Sequence, residues 1–483
     1  MKSSAVAASL AAAGPTAVPD SAWLLAELQR LVGPLRGRRL CVAFSGGLDS
    51  TVLLWLLARG RRRGGYRLRA IHVNHHLQRA ADAWAASAAA RARRLRVPFR
   101  ALHLALSVPR GVSIEAEARR ARYAALAGAL APGELLVTAH HLDDQLETLL
   151  LAVLRGAGVA GLAAMPALRP LGAHQLLRPL LSLSRAQLAA CAESRRLGWT
   201  EDDSNADPRF DRNYLRRQVL PLLRARWPAA AATAARTAAH LAEAQQLLDG
   251  LAEGRMAAAA DGRGLRTAPL RCLAPLERRN LLRHWLRAAG ARVPDHRRLQ
   301  QIAGPLLAAR ADAQPAVRWD EWSVCRYDER LVLRRVPAVE GAAAAVELEW
   351  DWRRHRRLEL PGGGAIGWEP DVHGPLDLAR LPPRLQVRLR RGGERLATAH
   401  GTGTLKKLLQ EKRIAPWQRA RLPLLFAGGR LVAVADLWLD AHYAAPPGGP
   451  EPRRLSRTRV AAGANGGRDP SAARGRLRWQ ACD

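Results

Sequence analysis

Residues 41–50 read CVAFSGGLDS, and the apolar segment TVLLWLL follows at residues 51–57. The pattern predicts a buried strand, a Ser-Gly-Gly turn and an apolar helix. In that geometry several backbone N–H groups and a helix N-terminus point at one place, which suits an anion. The glycines can adopt positive φ and let a phosphate approach the main chain. We therefore predict a phosphate-binding loop formed by Ser45, Gly46, Gly47, Leu48, Asp49 and Ser50.

Asp49 differs from the rest of this loop, because a carboxylate repels a polyphosphate unless a divalent cation lies between them. We interpret it as a Mg²⁺ ligand. The loop is not of the Walker type, which has a Lys directly after its last Gly. It resembles the SGGxDS loop of the PP-loop ATP pyrophosphatases, enzymes that release pyrophosphate and leave AMP on a substrate oxygen. The resemblance implies ATP at Ser45–Ser50, although a plain strand–turn–helix with Ser-Gly-Gly is common too.

The composition of the 483-residue chain is strongly basic, with a formal charge of +34 and a pI near 11.6. Such a charge favours a polyanionic partner, nucleic acid ahead of an anionic membrane. Lysine occurs only at positions 2, 406, 407 and 412, so nearly all of the positive charge is arginine. A compositional bias therefore explains part of the excess without any partner.

The five cysteines are scattered, and none forms a C-x-x-C pair. They predict neither a disulfide framework nor a metal cluster. No apolar run is long enough to span a membrane. The start of the chain, with Lys2 and the Ala-rich residues 5–13, is too weakly hydrophobic for a typical signal peptide. We expect a disordered extension there and a cytoplasmic protein.

Strands and helices alternate from about residue 21. Strands are predicted over 38–44, 67–73, 99–104 and 135–139, and helices over 22–32, 80–96, 114–130 and 143–155. Such βαβ units indicate an α/β fold with a doubly wound parallel sheet. Ligands bind these sheets at the carboxyl ends of the strands. The SGG loop, residues 72–75 (HVNH) and His140-His141 all follow strands, so we expect them to share one crevice.

The remaining segments differ in composition. Pro228 opens an Ala-rich helical stretch, and a strand pair is predicted over 318–327 and 329–335. Short strands and one clear helix at 405–411 follow, and the Pro-, Gly- and Arg-rich end has no apolar period. We predict a disordered extension (1–20), a catalytic domain (21–227), a helical domain (228–340), a small mixed α/β domain (347–445) and a disordered basic tail (446–483).

A second motif, TAHHLDDQLET at residues 138–148, lies at a predicted strand-to-helix junction. Glu147 is one helical turn from Asp144 (i, i+3) and from Asp143 (i, i+4), so it shares a face with each. Carboxylates clustered in this way suit an ammonium group or a metal. The alternative is that acidic residues in a first helical turn merely complement the helix dipole.

Three further basic segments carry weaker signals. In SIEAEARRARY (113–123), Arg119 and Arg122 share a helix face and could hold a phosphate or carboxylate, or belong to a salt-bridged surface helix. The DSN turn at 203–205 and the RNYLR segment at 212–216 suit either phosphate contact or capping. Lys406 and Lys407 lie in a cluster that contains three of the four lysines, which suggests a tRNA phosphate contact or a chance grouping on a surface helix.

Together these motifs resemble the bacterial tRNA(Ile)-lysidine synthetase family, over roughly residues 21–445. Beyond the segments already quoted, the resemblance rests on RGxG at 155–158, RPLL at 178–181, RRGGE at 390–394, LKKLLQ at 405–410, PW at 416–417 and PLL at 423–425. It implies an adenine nucleotide alpha hydrolase-like PP-loop fold. It also implies ATP, Mg²⁺, free L-lysine and a tRNA(Ile) with a CAU anticodon as ligands.

The resemblance implies two steps on the wobble cytidine. ATP adenylates the C2 carbonyl oxygen, and the ε-amine of lysine then displaces AMP. Asp49 would act with Mg²⁺, Asp144 and Glu147 would bind the lysine ammonium, and Arg119 or Arg122 would take its carboxylate or a phosphate. The C-terminal regions, including Lys406 and Lys407, would hold the tRNA. A homodimer is compatible with the sequence.

Two other functions are weighed against this one. A tRNA thiolase of the same superfamily, which also adenylates a base, normally needs paired or cluster-binding cysteines, and these are lacking. A non-catalytic tRNA-binding protein would not need the intact SGGLDS loop and the acidic residues of the second motif. Another PP-loop enzyme that modifies a tRNA base remains the alternative.

Overall fold

The computed structural model describes residues 18–74, 80–104, 114–201, 210–310, 315–336, 347–361, 364–371, 373–398, 401–445 and 474–480. The side chains of residues 114–116 and 480 are outside this description. The chain forms two compact units, Met1–Leu251 and Ala252–Asp483. Within the described residues, no helix is both long and apolar enough to cross a membrane.

The first unit is built on a six-stranded sheet in the order β3-β2-β1-β4-β6-β5. All neighbouring strands are parallel except β5 and β6, which form an antiparallel hairpin. The predicted parallel sheet is therefore confirmed, whereas the hairpin was not predicted. The strands are β1 (Arg39–Ala43), β2 (Arg67–Asn74), β3 (Phe99–His103), β4 (Glu134–Val137), β5 (Leu168–Leu171) and β6 (His174–Leu177).

Helices cover both faces of this sheet. They are α1 (Ser21–Val32), α2 (Leu48–Gly64), α3 (Ala81–Arg94), α4 (Ile114–Ala129), α5 (Leu142–Leu154), α6 (Val159–Leu162), α7 (Arg185–Ser194), α8 (Asp211–Tyr214), α9 (Leu220–Arg226) and α10 (Ala230–Ala259). Val42 packs with α1, α2, α3 and α7, while its neighbour Cys41 packs with Leu126 of α4 on the other face. Successive strand residues point to opposite faces, so both faces of β1 are buried.

The strand order reverses between β1 and β4. The chain runs outward from β1 to β3 and then returns through α4 to place β4 on the other side of β1. In doubly wound sheets the crevice at such a point, outside the carboxyl ends of the strands, is where ligands bind. The SGGLDS loop follows β1 and residues 138–141 follow β4, so the fold brings both motifs to this crevice.

The second unit begins within α10. An antiparallel sheet, in the order β7-β10-β9-β8, packs on helices through a core that includes Trp285, Ile302 and Leu331. The region predicted as helical thus also contains a sheet, of which only the β9–β10 pair was predicted. The elements are β7 (Leu265–Arg266), α11 (Thr267–Cys272), α12 (Pro275–Ala288), α13 (His296–Gln301), β8 (Ala316–Trp319), β9 (Trp322–Tyr327) and β10 (Arg330–Arg335).

The C-terminal part of this unit contains two further sheets, in the orders β11-β15-β18-β19-β20 and β12-β13-β21-β14, and a β16–β17 hairpin. The predicted helix at 405–411 is confirmed as α14. The elements are β11 (Glu347–Trp350), β12 (Arg357–Glu359), β13 (Ala365–Pro370), β14 (Leu376–Asp377), β15 (Leu385–Arg388), β16 (Arg395–Thr398), β17 (Gly401–Thr404), α14 (Leu405–Glu411), α15 (Pro416–Arg419), β18 (Leu424–Ala427), β19 (Arg430–Val434), β20 (Trp438–Leu439) and β21 (Arg474–Gln480).

The prediction of a disordered tail is wrong for β21. This strand lies between β13 and β14 and pairs with both. Its residues alternate, so that Leu477 packs on a hydrophobic cluster while Arg476 and Arg478 form ion pairs with Asp371 (2.9 Å) and Glu369 (3.2 Å). A composition averaged over the whole tail hides this short alternation. Residues 1–17 and 446–473, also predicted to be disordered, lie outside the described residues.

Candidate active site

Side-chain hydroxyl groups form hydrogen bonds within the loop that follows β1. Ser45 Oγ lies 3.0 Å from Ser50 Oγ, which also accepts from the Gly46 N–H (3.2 Å) and donates to the Gly47 carbonyl (3.1 Å). Gly46 has a φ of +86°, a conformation that favours glycine. Gly47 caps α2 without any side-chain hydrogen bond, so the helix N-terminus is open to an anion. Leu48 is buried in the core, so only its main chain can face a ligand.

The Gly46 carbonyl is held by three donors. It accepts from the Thr200 N–H (2.9 Å), from Arg91 Nη1 (3.2 Å) and from Thr51 Oγ1 (3.3 Å). The same Arg91 nitrogen also donates to Thr200 Oγ1 at 2.9 Å. Arg91 adds a positive charge beside the loop, and no carboxylate in the described part of the chain pairs with it. The sequence contained no signal for this arginine of α3.

Asp49 lies in the first turn of α2 with one oxygen unsatisfied. Its Oδ2 is 3.7 Å from His141 Nε2, while its buried Oδ1 has no hydrogen-bond partner. Burial raises the pKa of Asp49, which means that the ionised form needs a nearby cation. Mg²⁺ fits, because it is usually held by one or two carboxylates together with phosphates and water. Among the described residues, no group of three or more His, Cys, Asp or Glu side chains is arranged to hold a metal ion.

The carboxylate of Asp144 is buried at the start of α5. Its Oδ2 accepts from the His141 N–H (3.0 Å), and its Oδ1 accepts from Arg216 Nη2 (2.7 Å). Burial alone would raise the pKa of Asp144, but His141, His140 and Arg216 hold it below its usual value. Asp144 therefore keeps its negative charge more readily than a free aspartate does.

The pKa of Glu147 is shifted in the opposite direction from that of Asp144. Its Oε1 accepts from Arg216 Nε at 2.5 Å, but its buried Oε2 has no hydrogen bond and lies 3.4 Å from Arg212 Nε. Burial raises the pKa of Glu147 despite Arg216. Two neighbouring carboxyl groups with pKa values shifted in opposite directions are typical of a pair in which one binds charge and the other transfers protons.

Asp143, next to Asp144 in the chain, has hydrogen-bond partners of its own. Its Oδ2 accepts from the backbone N–H of Arg185, which is the first residue of α7 (2.7 Å). Its Oδ1 accepts from Arg224 Nη2 (2.6 Å). Both of its oxygens are thus used by structural partners. The sequence offered no basis for distinguishing Asp143 from Asp144, and in the structure the two carboxylates have different arginine partners.

The sequence predicted that the segment containing Arg212 and Arg216 contacts phosphate or caps a helix. In the structure both arginines instead lie beside the acidic pair Asp144 and Glu147. Arg216 lies in a π-helical turn, Leu215–Val219, between α8 and α9. Such turns are frequent at functional sites, because they change the direction of the side chains that follow. The DSN turn at 203–205 lies outside the described residues.

Arg119 and Arg122 have different surroundings. The guanidinium of Arg119 lies over the Tyr123 ring, 5.3 Å from the ring centroid. Its positive charge contributes to lowering the pKa of His140. Arg122 instead influences His72. The pKa of His72 is lowered mainly by burial and further by the charge of Arg122. Its Nδ1 donates to the Phe44 carbonyl (2.9 Å). The side chain of Glu115, one helical turn before Arg119, lies outside the described residues.

Lys406 and Lys407 belong to the second unit. They are exposed on α14, whose residues Leu405 and Leu409 are buried in a hydrophobic cluster. Lys407 Nζ lies 3.9 Å from Glu411 Oε1, which is a weak contact between exposed groups. Both ammonium groups thus face solvent, as a contact with a polyanion requires.

The whole chain was compared with known proteins. It matches the family model for the PP-loop domain over residues 22–223, the TilS substrate binding domain over 265–332 and the TilS substrate C-terminal domain over 385–453. A tRNA(Ile)-lysidine synthase from Methylococcus capsulatus is 44% identical over 422 residues, which are 84% of this chain and 93% of that protein. The chain belongs to the tRNA(Ile)-lysidine synthase family. It is thus a ligase of the PP-loop class.

Further proteins are similar to this chain to different degrees. The Pseudomonas aeruginosa member is 46% identical over 413 residues, 82% of this chain and 89% of that protein. Among solved structures, a U34-tRNA thiolase from Methanococcus maripaludis is 16% identical with a TM-score of 0.40 and covers 46% of this chain and 78% of its own. The family models and the relatives from Methylococcus capsulatus and Pseudomonas aeruginosa confirm the family resemblance and the PP-loop fold that the motifs predict.

Proposed function

We propose that this enzyme ligates free L-lysine to C2 of the wobble cytidine in the CAU anticodon of tRNA(Ile). The product, lysidine, changes codon reading from AUG to AUA. One observation carries the proposal: His141 Nε2 lies 3.7 Å from Asp49 Oδ2 and 3.5 Å from Asp144 Oδ2. The ATP loop and the acidic pair are therefore parts of one site, at which an activated nucleotide and an amine can meet.

In the first step the cytidine O2 attacks the α-phosphorus of ATP, a P–O bond forms, and pyrophosphate leaves. The cytosine carbonyl oxygen is a very poor leaving group and AMP is a good one, so this activation supplies much of the acceleration. The loop N–H groups of residues 45–50 and the Arg91 guanidinium would stabilise the charge that grows on the pyrophosphate. Mg²⁺, held by Asp49, would supply additional neutralisation of that charge.

In the second step the ε-amine of lysine attacks C2, the C–N bond forms, and AMP leaves with the former carbonyl oxygen. Asp144 and Glu147 would bind the ammonium group, since Glu147 Oε2 is buried and has no hydrogen-bond donor of its own. The amine must lose a proton before or during attack. Glu147, with its raised pKa, is the suitable acceptor, and Arg119 or Arg122 would hold the lysine carboxylate or a phosphate.

The tRNA body would be bound by the second unit, with Lys406 and Lys407 as phosphate contacts. The formal charge of +34 supports a polyanionic substrate. The domain boundaries at 21–227, 228–340 and 347–445, a cytoplasmic location and a homodimer all stay predictions.

The adenylated intermediate has a direct test. The protein is incubated with ATP labelled at the α-phosphate, Mg²⁺ and tRNA(Ile), without lysine. We expect label on the tRNA that is released as AMP when lysine is added. A tRNA that never acquires the label, although lysine is later incorporated, would contradict the two-step route.

A further inference from the structure

Exposed arginines collect at the edge of the first sheet that lies opposite the crevice. The parallel strands β1 and β2 begin at this edge with Arg39 and Arg67, which are register partners. Helix α2 starts at the SGGLDS loop and runs back to the same edge. Its 17 residues separate the loop from the last turn of the helix by about 25 Å. The edge is therefore a surface of its own, remote from the loop that suits ATP.

Side-chain contacts bring the ends of α2, α3 and α7 together at this edge. Arg61 Nη1 donates to the carbonyl of Arg96, two residues after α3, at 2.8 Å. The guanidinium carbons of Arg59 and Arg195 lie 5.6 and 5.5 Å from the centroid of the Trp55 ring, which joins the end of α2 to the end of α7. Exposed arginines at these helix ends form what we call the arginine edge: Arg59, Arg62, Arg63, Arg96, Arg195 and Arg196.

No member of the arginine edge is paired with a carboxylate in the part of the chain that the structure describes. Glu193 of α7 is exposed but pairs with none of them, and the buried Glu134 at the start of β4 is already paired with Arg69. The exposed Arg120 of α4, by contrast, pairs with Glu117 at 2.5 Å. An arginine-rich composition explains many arginines but not this lack of ion pairs. Like charges close together repel each other unless a polyanion covers them.

The surroundings of the arginine edge favour RNA over a membrane. Among the described residues, the large apolar side chains that are exposed all lie outside α2, α3 and α7. A helix that binds a lipid surface buries such side chains among the headgroups. Guanidinium groups on an open surface instead suit backbone phosphates, which they bind through paired N–H donors. Because the arginines are spread over three helix ends, a chain of phosphates fits them better than one small anion.

We propose that the arginine edge binds the backbone phosphates of a second RNA molecule while the substrate tRNA occupies the crevice. The contact responds to charge and not to base sequence, so it is sensitive to salt. An enzyme held in this way stays close to RNA between turnovers. The inference does not rest on the proposed function, because it requires neither ATP nor lysine transfer.

The test measures binding of a fluorescent oligouridylate, an RNA without a CAU anticodon, to the full-length protein, alone and with one equivalent of tRNA(Ile). Fluorescence anisotropy over a series of salt concentrations gives the dissociation constant and its salt dependence. The edge variant carries Arg62→Gln, Arg63→Gln and Arg196→Gln, three exposed side chains. The matched control loses the same charge at exposed positions elsewhere, through Arg120→Gln, Arg236→Gln and Arg255→Gln.

We expect the edge variant to bind oligouridylate at least about 10-fold more weakly than the wild-type protein, with or without tRNA(Ile). The slope of log affinity against log salt should fall by about 2, because each phosphate contact to a single strand contributes about 0.7. The control variant should bind like the wild-type protein. The KM for tRNA(Ile) should be the same in all three proteins.

Three results would overturn the proposal. Equal weakening in the edge and control variants would mean that only net charge matters. A raised KM for tRNA(Ile) in the edge variant, with no oligouridylate bound to the tRNA-loaded wild-type protein, would mean that the substrate tRNA itself covers the edge. Weaker binding of the edge variant to phosphatidylserine vesicles, with oligouridylate binding unchanged, would assign the edge to a membrane. Failure of the proposed function is distinct, because lysine incorporation would then be absent while oligouridylate binding follows the prediction.

Discussion

Glu147 Oε1 accepts a 2.5 Å hydrogen bond from Arg216 Nε. The same guanidinium also donates to Asp144, through Nη2 at 2.7 Å. One arginine thus bridges two carboxylates, yet the pKa of Asp144 is lowered and that of Glu147 is raised. The two acidic residues of the motif are therefore not equivalent, and their roles can be separated by experiment.

Glu147→Gln should slow lysine transfer without preventing adenylation. The amide cannot accept the amine proton, and loss of a general base typically costs about 10²- to 10⁴-fold in rate. Single-turnover transfer from pre-adenylated tRNA measures this step alone. Only the ionised form of Glu147 can accept the proton, and its pKa is raised. The wild-type rate should therefore be low at pH values below that raised pKa and should increase as the pH rises through it. A variant with the wild-type rate and pH profile would exclude Glu147 as the base.

Asp143→Asn and Asp144→Asn should differ in their effect on lysine binding. The first loses an ion pair with Arg224 and the N–H bond at the start of α7, so the free energy of unfolding should fall by about 1–2 kcal/mol while lysine affinity is kept. The second should weaken lysine binding. Urea unfolding and lysine dialysis on both variants check this. Weaker lysine binding in Asp143→Asn alone would reverse the assignment.

The stability supplied by Asp144 should depend on pH. Its pKa is lowered in the folded protein, so its ionised form stabilises the fold above the unfolded value of about 4. That contribution is lost as pH falls through the lowered folded pKa. The difference in unfolding free energy between wild type and Asp144→Asn should thus be larger at pH 7 than at pH 3. A difference that grows on acidification would contradict the lowered pKa.

Arg91→Met should weaken ATP binding. The variant loses a donor to the Gly46 carbonyl and a positive charge beside the loop, and we expect KM for ATP to rise about tenfold. KM for lysine should not change, because Arg91 contacts the SGGLDS loop rather than the acidic pair. Arg93→Met, at an exposed position of the same helix, is the control. Equal effects of the two variants would mean that general surface charge, not the loop contact, matters.

Two neighbouring residues of β21 test the C-terminal strand. Leu477→Ala should lower the unfolding free energy of the second unit by about 1–2 kcal/mol, because Leu477 packs on a hydrophobic cluster. Arg478→Ala removes only an exposed ion pair and should cost less than about 0.5 kcal/mol. Limited proteolysis and urea titration measure both. Equal, small effects would show that the strand contributes little.

Local patterns predicted the sheet and part of the site, because both depend on short segments. Apolar runs before the SGGLDS loop and before His140 identified β1 and β4, and helical spacing placed Glu147 beside Asp144. The arginines that complete the site could not be predicted, since Arg216 lies 72 residues from Asp144 and Arg91 lies 45 residues from Gly46. Contacts over such separations are created by the packing of whole helices and leave no local period.

The most direct measurement is lysine incorporation into purified tRNA. The protein is incubated with ATP, Mg²⁺ and labelled L-lysine, together with either tRNA(Ile) bearing a CAU anticodon or initiator tRNA(Met) with the same anticodon. We predict one lysine per tRNA(Ile), with one AMP and one pyrophosphate released, and none on the initiator tRNA. Incorporation into neither tRNA would contradict the function, and equal incorporation into both would contradict its specificity.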